Sequence, residues 1–328
     1  MQRQLILSQF ASTPWAMDQA HLQNMAAVLH RWSAGEGASA ETMVDVHAAQ
    51  AARQTRKATT PAASGGIAVL PLWGVMTQRA NMVNDISGAG GTSTQQFTQL
   101  FRDAMADDSI GGILISVDSP GGSVFGTQEL AAEIYQARGK KPIVGFVDST
   151  CASAAYWVAS QCDELYSTAG GLTGSIGVFM QHVDEAGAME KAGIKAEFIS
   201  AGRYKTEGNS LGPLSADARA HLQSSVDTYY TEFTNAVARG RGVSPAAVRG
   251  GMGQGRCLMA NDALKAGMIN GIDTFQGVVA RMSGRVRMGG ATHGSMATGK
   301  HVSQMTEREI TQMHADARRR RLQIAMMQ

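Results

Sequence analysis

Between residues 66 and 283 the chain alternates segments with helical and strand-like hydrophobic patterns. Residues 94–106 place Phe97, Leu100 and Phe101 on one helical face, and the apolar run GGILISV follows at 111–117. Further segments of both kinds lead to a long amphipathic helix over roughly 215–239. This alternation is typical of an α/β domain in which helices cover a mostly parallel sheet. We predict that fold class and attribute the apolar stripes to core packing.

The segments that flank residues 66–283 differ from them in composition. Apolar residues at helical spacing predict a helical N-terminal extension over residues 1–47. Residues 48–65 contain no acidic residue and little apolar bulk, as expected of a linker. Residues 284–328 contain eight Lys or Arg against three Asp or Glu, and we expect a flexible basic tail. Its Arg318–Arg321 run is typical of a solvated chain end, so we infer no nucleic-acid function from it.

The chain has three cysteines and no recognisable targeting segment. Cys151, Cys162 and Cys257 have neither the spacing of a metal site nor the density of a secreted disulfide scaffold, which fits a reducing compartment. The apolar stretch near the N-terminus is interrupted by Ser8 and Gln9, and no run of about 18 apolar residues is present. We expect a cytoplasmic protein without a membrane span, a metal or a cofactor.

The segment VDSPGGSV, residues 117–124, follows a predicted strand. Pro120 fixes a turn, Gly121 and Gly122 allow backbone conformations closed to other residues, and a helix is predicted to start near Ser123. Backbone N–H groups exposed by such a turn can stabilise the negative oxygen that develops when a carbonyl is attacked. A Pro-Gly-Gly sequence alone is more often a plain turn.

The segment DSTCASAAYWVAS, residues 148–160, follows the predicted strand PIVGFV. Ser153 would lie at the entrance of a short helix, among small residues that leave room for a peptide. It is a candidate nucleophile, and helix N-capping is the alternative role. Cys151 lies two residues away and is more simply a small buried residue.

The segment SAGRYKTEGN, residues 200–209, contains Lys205 after a predicted strand at 196–200. A nucleophilic serine needs a base, and residues 66–283 contain only two histidines, His182 and His221. A lysine can serve when burial keeps its amine neutral. Without a partner, Lys205 would be an ordinary solvated lysine.

Together these segments resemble the signal peptide peptidase A family of serine peptidases, which includes phage capsid-maturation proteases. The resemblance covers about residues 66–283, and the order and separation of its motifs fit. The matching sequences are DSPGG at 118–122, CASAAYW at 151–157, LTGSIGV at 172–178, GRYK at 202–205 and RCLMANDALKAGMINGI at 256–272.

The resemblance implies a ClpP/crotonase-type fold with Ser153 as nucleophile and Lys205 as general base. It also implies ring-like or dome-like homo-oligomers in which the lysine can come from a neighbouring subunit. A monomer would then be inactive, and the base would be a neutral, buried lysine.

The resemblance also assigns roles around the serine. It implies an oxyanion hole formed by the backbone amides of Gly121, Gly122 and Ala154. It places Thr173 and Ser175 near the active site as substrate-site candidates. This chain has alanines after the nucleophile where family members usually have glycines, which keeps the amides available and narrows the adjoining space.

Membrane-bound members of the family carry an N-terminal span, which this sequence does not contain. We therefore expect a phage or prophage capsid assembly protease that cleaves scaffold or other head proteins in the host cytoplasm, inside the assembling procapsid. A cytosolic peptidase for signal peptides or short peptides is the alternative with the same chemistry. A crotonase-type acyl-CoA enzyme and a non-catalytic assembly protein are alternatives of other classes.

Overall fold

The computed structural model of this chain describes residues 13–18, 23, 26–27, 66–79 and 91–293. The described residues up to Val286 belong to one compact unit, and those beyond it are the end of the last helix. The predicted linker at 48–65 and the tail beyond His293 lie outside the described residues. No helix among the described residues is both long and apolar enough to cross a membrane.

The larger sheet is mostly parallel and has the strand order β10-β9-β7-β5-β2, while β8 pairs with β7 and β11 pairs with β8. The central strand β5 pairs in parallel with β2 and β7 and is buried at seven of its eight residues, as expected where helices cover both faces. The strands are β2 Ile67–Trp73, β5 Gly112–Ser119, β7 Ile143–Ala152, β8 Glu164–Ser167, β9 Leu172–Gly174, β10 Cys257–Met259 and β11 Gly271–Ile272. The predicted α/β class is confirmed.

Helices cover this sheet as the apolar stripes predicted. The first has the predicted bounds and buries Phe97 and Phe101. Trp157 stacks on Phe233 with ring centroids 4.6 Å apart, which joins the short helix after β7 to the long helix Ala216–Arg241. The helices are α1 Thr94–Ala106, α2 Thr127–Ala137, α3 Ala154–Ala159, α4 Ala186–Lys191, α5 Ala216–Arg241, α6 Pro245–Gly251, α7 Ala260–Lys265 and α8 Phe275–His293. The last helix continues past residue 284, where the sequence predicted the tail to begin.

A second, small sheet has the order β1-β6-β3-β4, and two of its strands, β1 and β6, lie where the sequence predicted a helix and a turn. Its strands are β1 Trp15–Met17, β3 Met76–Thr77, β4 Thr92–Ser93 and β6 Gly121–Ser123. β1 falls within the extension predicted to be helical. Its three residues are strand because their backbone pairs with β6 and their side chains are buried. The helix predicted near Ser123 begins at Thr127, because β6 comes first.

The strand predicted at 196–200 is wrong for a single chain. Residues 194–200 form no ladder with the sheet, and all of them are exposed. A β-strand needs a neighbouring strand as the hydrogen-bond partner of its backbone N–H and C=O groups. Residues 196–200 have no such partner among the described residues, so their apolar pattern does not produce a strand here.

Candidate active site

Two of the predicted motifs meet at the carboxyl ends of neighbouring parallel strands. β5 and β7 pair along their length, and the last pair joins Ser119 to Cys151. The chain then continues into Gly121 from one strand and into Ser153 from the other. Open α/β sheets present reactive groups at this edge. The fold therefore brings the glycine turn and the candidate nucleophile together.

Ser153 has an unusual backbone conformation and no exposed surface. Its φ is 55° and its ψ is −118°, a combination that costs a non-glycine residue about 1–3 kcal/mol and tends to occur at functional sites. Its N–H donates to the Gly174 carbonyl at 2.7 Å, which holds the turn against β9. Its side chain makes no capping bond to α3. Instead its Oγ lies 3.4 Å from the Gly177 carbonyl oxygen, so the N-cap interpretation fails.

Gly121 and Gly122 are glycines because no side chain fits at either position. Gly121 has φ +98°, and a Cβ there would lie 2.9 Å from the Ser153 Cβ and overlap the Ala16 carbonyl oxygen. A Cβ at Gly122 would overlap the Met76 carbonyl group. The backbone of this turn is therefore packed directly against the nucleophile and against β3.

The amides of the two glycines differ in their surroundings. The Gly121 N–H donates to the Ser119 Oγ at 3.2 Å, and that hydroxyl donates to the Gly74 carbonyl at 2.6 Å. Gly122 instead lies opposite Ala16 of β1. The Ala154 N–H opens helix α3, where first-turn amides have no partner within the helix. The Gly121 amide is thus engaged by a side chain of its own turn, whereas the Gly122 amide faces the backbone of β1. The role of these amides and of the Ala154 amide as oxyanion donors stays a prediction.

The predicted substrate-site residues lie on β9 and the loop that follows it. Thr173 pairs with Cys151 in the register of β7 and β9. Its side chain is fully buried, and its Oγ1 has no hydrogen-bond partner among the described residues. Ser175 has φ 52° and donates its N–H to the Arg256 carbonyl at 2.9 Å. Both residues flank Gly174, the hydrogen-bond partner of Ser153.

Lys205 is not brought to the serine within one chain. It lies in an exposed turn, where its N–H donates to the Gly202 carbonyl at 3.0 Å. Among the described residues no hydrogen bond or ion pair joins it to Ser153. A single chain therefore leaves this lysine and the segment before it exposed, and its predicted burial and role as base stay a prediction.

The other candidate side chains offer no better catalytic group. His182 lies with its Nε2 3.1 Å from the Gly212 carbonyl oxygen, and His221 is exposed on α5. Cys151 is completely buried, and desolvation raises the pKa of its thiol well above the ordinary value. A protonated thiol is a poor nucleophile, as the sequence predicted. Among the described residues no group of His, Cys, Asp and Glu could hold a metal ion.

Part of this chain is similar to a known protein family. Residues 136–288, which include Ser153 and Lys205, match the family model described as Peptidase family S49. This region is thus similar to peptidase family S49. The predicted resemblance to signal peptide peptidase A is thereby confirmed at the level of the family.

The similar curated proteins include phage proteins. The head-tail preconnector protein of Enterobacteria phage P21 is 31% identical over 266 residues, which are 80% of this chain and 52% of that protein. The capsid assembly protease C of Escherichia phage lambda is 33% identical over 193 residues, 59% of this chain and 44% of that protein. The chain spans about half the length of these relatives.

Among solved structures, a membrane protease from Pyrococcus horikoshii, specific for a stomatin homologue, aligns with a TM-score of 0.40 and 15% identity. The alignment covers 67% of this chain and 79% of that one.

The sequence did not indicate two neighbours of the serine. Gly177 accepts from its hydroxyl, and β1 lies across the glycine turn. The only sequence signal for β1 is the apolar triplet Trp15–Met17 after a proline, which is too short to distinguish a strand from a helix.

Proposed function

We propose that this chain is a serine endopeptidase in which Ser153 is the nucleophile and Lys205 is the general base. The observation that carries the proposal is the strained, fully buried Ser153 beside a glycine turn in a region similar to peptidase family S49. Because Ser153 is fully buried, its hydroxyl can attack only a substrate carbonyl that enters the space beside the glycine turn. The arrangement suits an extended peptide better than a bulky acyl-CoA thioester.

The reaction follows from the groups around the turn. Neutral Lys205 takes the proton of the Ser153 hydroxyl as its oxygen attacks the substrate carbonyl carbon. The negative oxygen that forms accepts hydrogen bonds from the amides of Gly122 and Ala154. The carbon–nitrogen bond then breaks, and the departing amine takes the proton from Lys205. Lys205 then takes a proton from water as the water oxygen attacks the acyl-enzyme carbonyl carbon. The ester bond to Ser153 breaks, and the lysine returns the proton to the serine oxygen.

Because Lys205 is exposed in one chain, we propose that a neighbouring subunit supplies it. Several apolar side chains that precede it in the chain are exposed to water, with Ile199 at 99%, Ile194 at 54%, Tyr204 at 53% and Phe198 at 52%. Covering this surface in an oligomer would bury apolar area and desolvate the lysine amine. Desolvation disfavours the charged ammonium form, and a lysine must be neutral to act as a general base.

Mixing two inactive variants tests this assignment. Ser153→Ala and Lys205→Ala should each abolish cleavage of an unfolded protein substrate, because members of one catalytic unit fail together. In mixed oligomers a Ser153→Ala subunit can lend its lysine to the serine of a Lys205→Ala subunit, so activity should return. Restored activity supports a shared dyad, and its absence indicates a base within the chain.

Matched controls separate catalysis from general damage. Lys195→Ala removes another exposed lysine from the same region and should retain activity. Cys151→Ala removes the neighbouring thiol and should also remain active. Cleavage that persists in Ser153→Ala would exclude the proposed nucleophile.

We further propose that the substrates are capsid scaffold or other head proteins, cleaved in the host cytoplasm within the assembling procapsid. The similarity to a phage capsid assembly protease and to a head-tail preconnector protein supports this role. The full chain incubated with the scaffold protein from its own genome should yield defined fragments. Hydrolysis of short peptides without scaffold cleavage would favour a short-peptide peptidase instead.

A further inference from the structure

The short strand β1 is bound along both of its edges next to the nucleophile. On one edge the Asp18 N–H donates to the Pro120 carbonyl at 2.9 Å, and the Val124 N–H donates to the Pro14 carbonyl at 3.2 Å. On the other edge Trp15 and Phe179 exchange two hydrogen bonds, at 2.9 and 3.0 Å. An added strand held by main-chain bonds is a common way in which proteins bind extended peptides.

The register of β1 places one particular carbonyl at the glycine turn. Hydrogen-bonded pairs in an antiparallel ladder recur at every second residue. The bonds of Pro14 and Asp18 flank the pair Ala16–Gly122, so this pair exchanges both of its hydrogen bonds. The Ala16 carbonyl oxygen therefore accepts from the Gly122 N–H, the proposed oxyanion donor.

The same carbonyl lies beside the nucleophile. A Cβ at Gly121 would overlap the Ala16 carbonyl oxygen and would lie 2.9 Å from the Ser153 Cβ, so both groups border one small space. A substrate carbonyl must occupy this space before attack. The Ala16–Met17 peptide bond thus has the position expected of a bond to be cleaved.

The side chains of β1 are buried along with the serine. Trp15 is 4% exposed, Met17 is 3% exposed, and Ala16 and Ser153 are not exposed at all. The Ala16 side chain belongs to the main cluster of buried apolar residues, which also contains Met76. This fully buried position holds a small side chain, whereas the flanking positions hold large apolar groups.

We propose that the segment Thr13–Asp18 is an internal substrate-like strand that occupies the peptide groove and blocks Ser153. It also defines the class of peptide that the groove takes: an extended segment with a small residue before the cleaved bond and large apolar residues on either side of it. The proposal rests on the proposed function, because a blocked groove matters only if Ser153 is the nucleophile.

Labelling of Ser153 by a fluorophosphonate in the full chain tests the block. Ala16→Asp places a charge at a fully buried position and should release the strand, so labelling should be at least tenfold faster than in the wild type. Ala27→Asp introduces the same charge at an exposed position near the N-terminus and should label at the wild-type rate. Equal rates in all three proteins would overturn the proposal, as would equal acceleration by both variants.

A peptide with the sequence of residues 13–18 provides the reverse test. Added to Ala16→Asp, it should slow labelling again, whereas the same peptide carrying aspartate in place of the alanine should not. Loss of labelling in every protein, including the wild type, would refute the proposed function and this inference with it. Labelling at rates unaffected by strand or peptide would refute the inference alone.

The wild-type chain gives a measurement that does not depend on how a variant folds. A phosphonyl group on Ser153 needs the space of the Ala16 carbonyl and should displace the strand. Hydrogen exchange at the amides of Trp15 and Asp18 should therefore be at least tenfold faster after slow labelling runs to completion. Unchanged protection at both amides would mean that the strand does not occupy the nucleophile's groove.

Discussion

At Gly122, both the stability of the fold and the proposed catalysis depend on the absence of a side chain. A Cβ there would lie 2.6 Å from both the backbone nitrogen and the carbonyl carbon of Met76, and closer still to its oxygen. These are backbone atoms of β3, which pairs in parallel with β6 at this residue. They cannot rotate away as the end of a side chain can. Gly122→Ala must therefore push the two strands apart.

The size of the effect follows from the overlap. Overpacking of a site that cannot relax costs about 1–3 kcal/mol. For a domain of about 150–250 residues each kcal/mol lowers Tm by about 2–4 °C, so Tm should fall by about 2–12 °C. Moving the strand also moves the Gly122 amide. Loss of one oxyanion donor lowers kcat by about 100- to 1000-fold in other enzymes.

Thermal unfolding and the rate of cleavage at saturating substrate measure the two effects. Gly170→Ala is the matched control, because a Cβ at Gly170 would meet no atom within 4 Å. It should retain both the Tm and the kcat of the wild type. A Gly122→Ala protein that matches Gly170→Ala in both quantities would refute the packing argument and the role of this amide.

Three further predictions concern the core around the site. Phe233→Ala removes the ring stacked on Trp157 and should lower the free energy of unfolding by about 3–5 kcal/mol, measured by urea denaturation. Arg138→Ala removes donors to the Cys162 carbonyl at 2.8 Å and to the Asp163 carboxylate at 3.3 Å, and should cost about 1–3 kcal/mol in the same assay. Burial raises the pKa of the Cys162 thiol to about 12, so iodoacetamide at pH 8 should modify it only after unfolding. Because this folded-state pKa lies above the ordinary value of 9.0, the thiol's contribution to stability should be lost as pH rises from 9 towards 12, a change that Cys162→Ala should remove.

Local pattern predicted much of the scaffold. The apolar spacing of residues 94–106 gave the observed bounds of α1, because one face of that helix is buried and the other is not. The run GGILISV predicted a buried central strand, since a strand covered on both faces needs no polar alternation. The glycine turn and Ser153 were found as motifs because their chemistry depends on residues close in sequence.

What the sequence by itself determined is the α/β class, the domain's family likeness and the identity of the candidate nucleophile. Only the tertiary structure decided that Ser153 is strained and covered, that Trp15–Met17 is a strand across the glycine turn, and that Lys205 is exposed in one chain. The physical reason is that hydrophobic periodicity indicates which face of a helix or strand is buried, but not which other element packs against that face. A three-residue strand such as β1 exists only through its backbone bonds to residues far along the chain. The apolar segment 194–200 would be buried only against another surface, and no described part of the chain covers it.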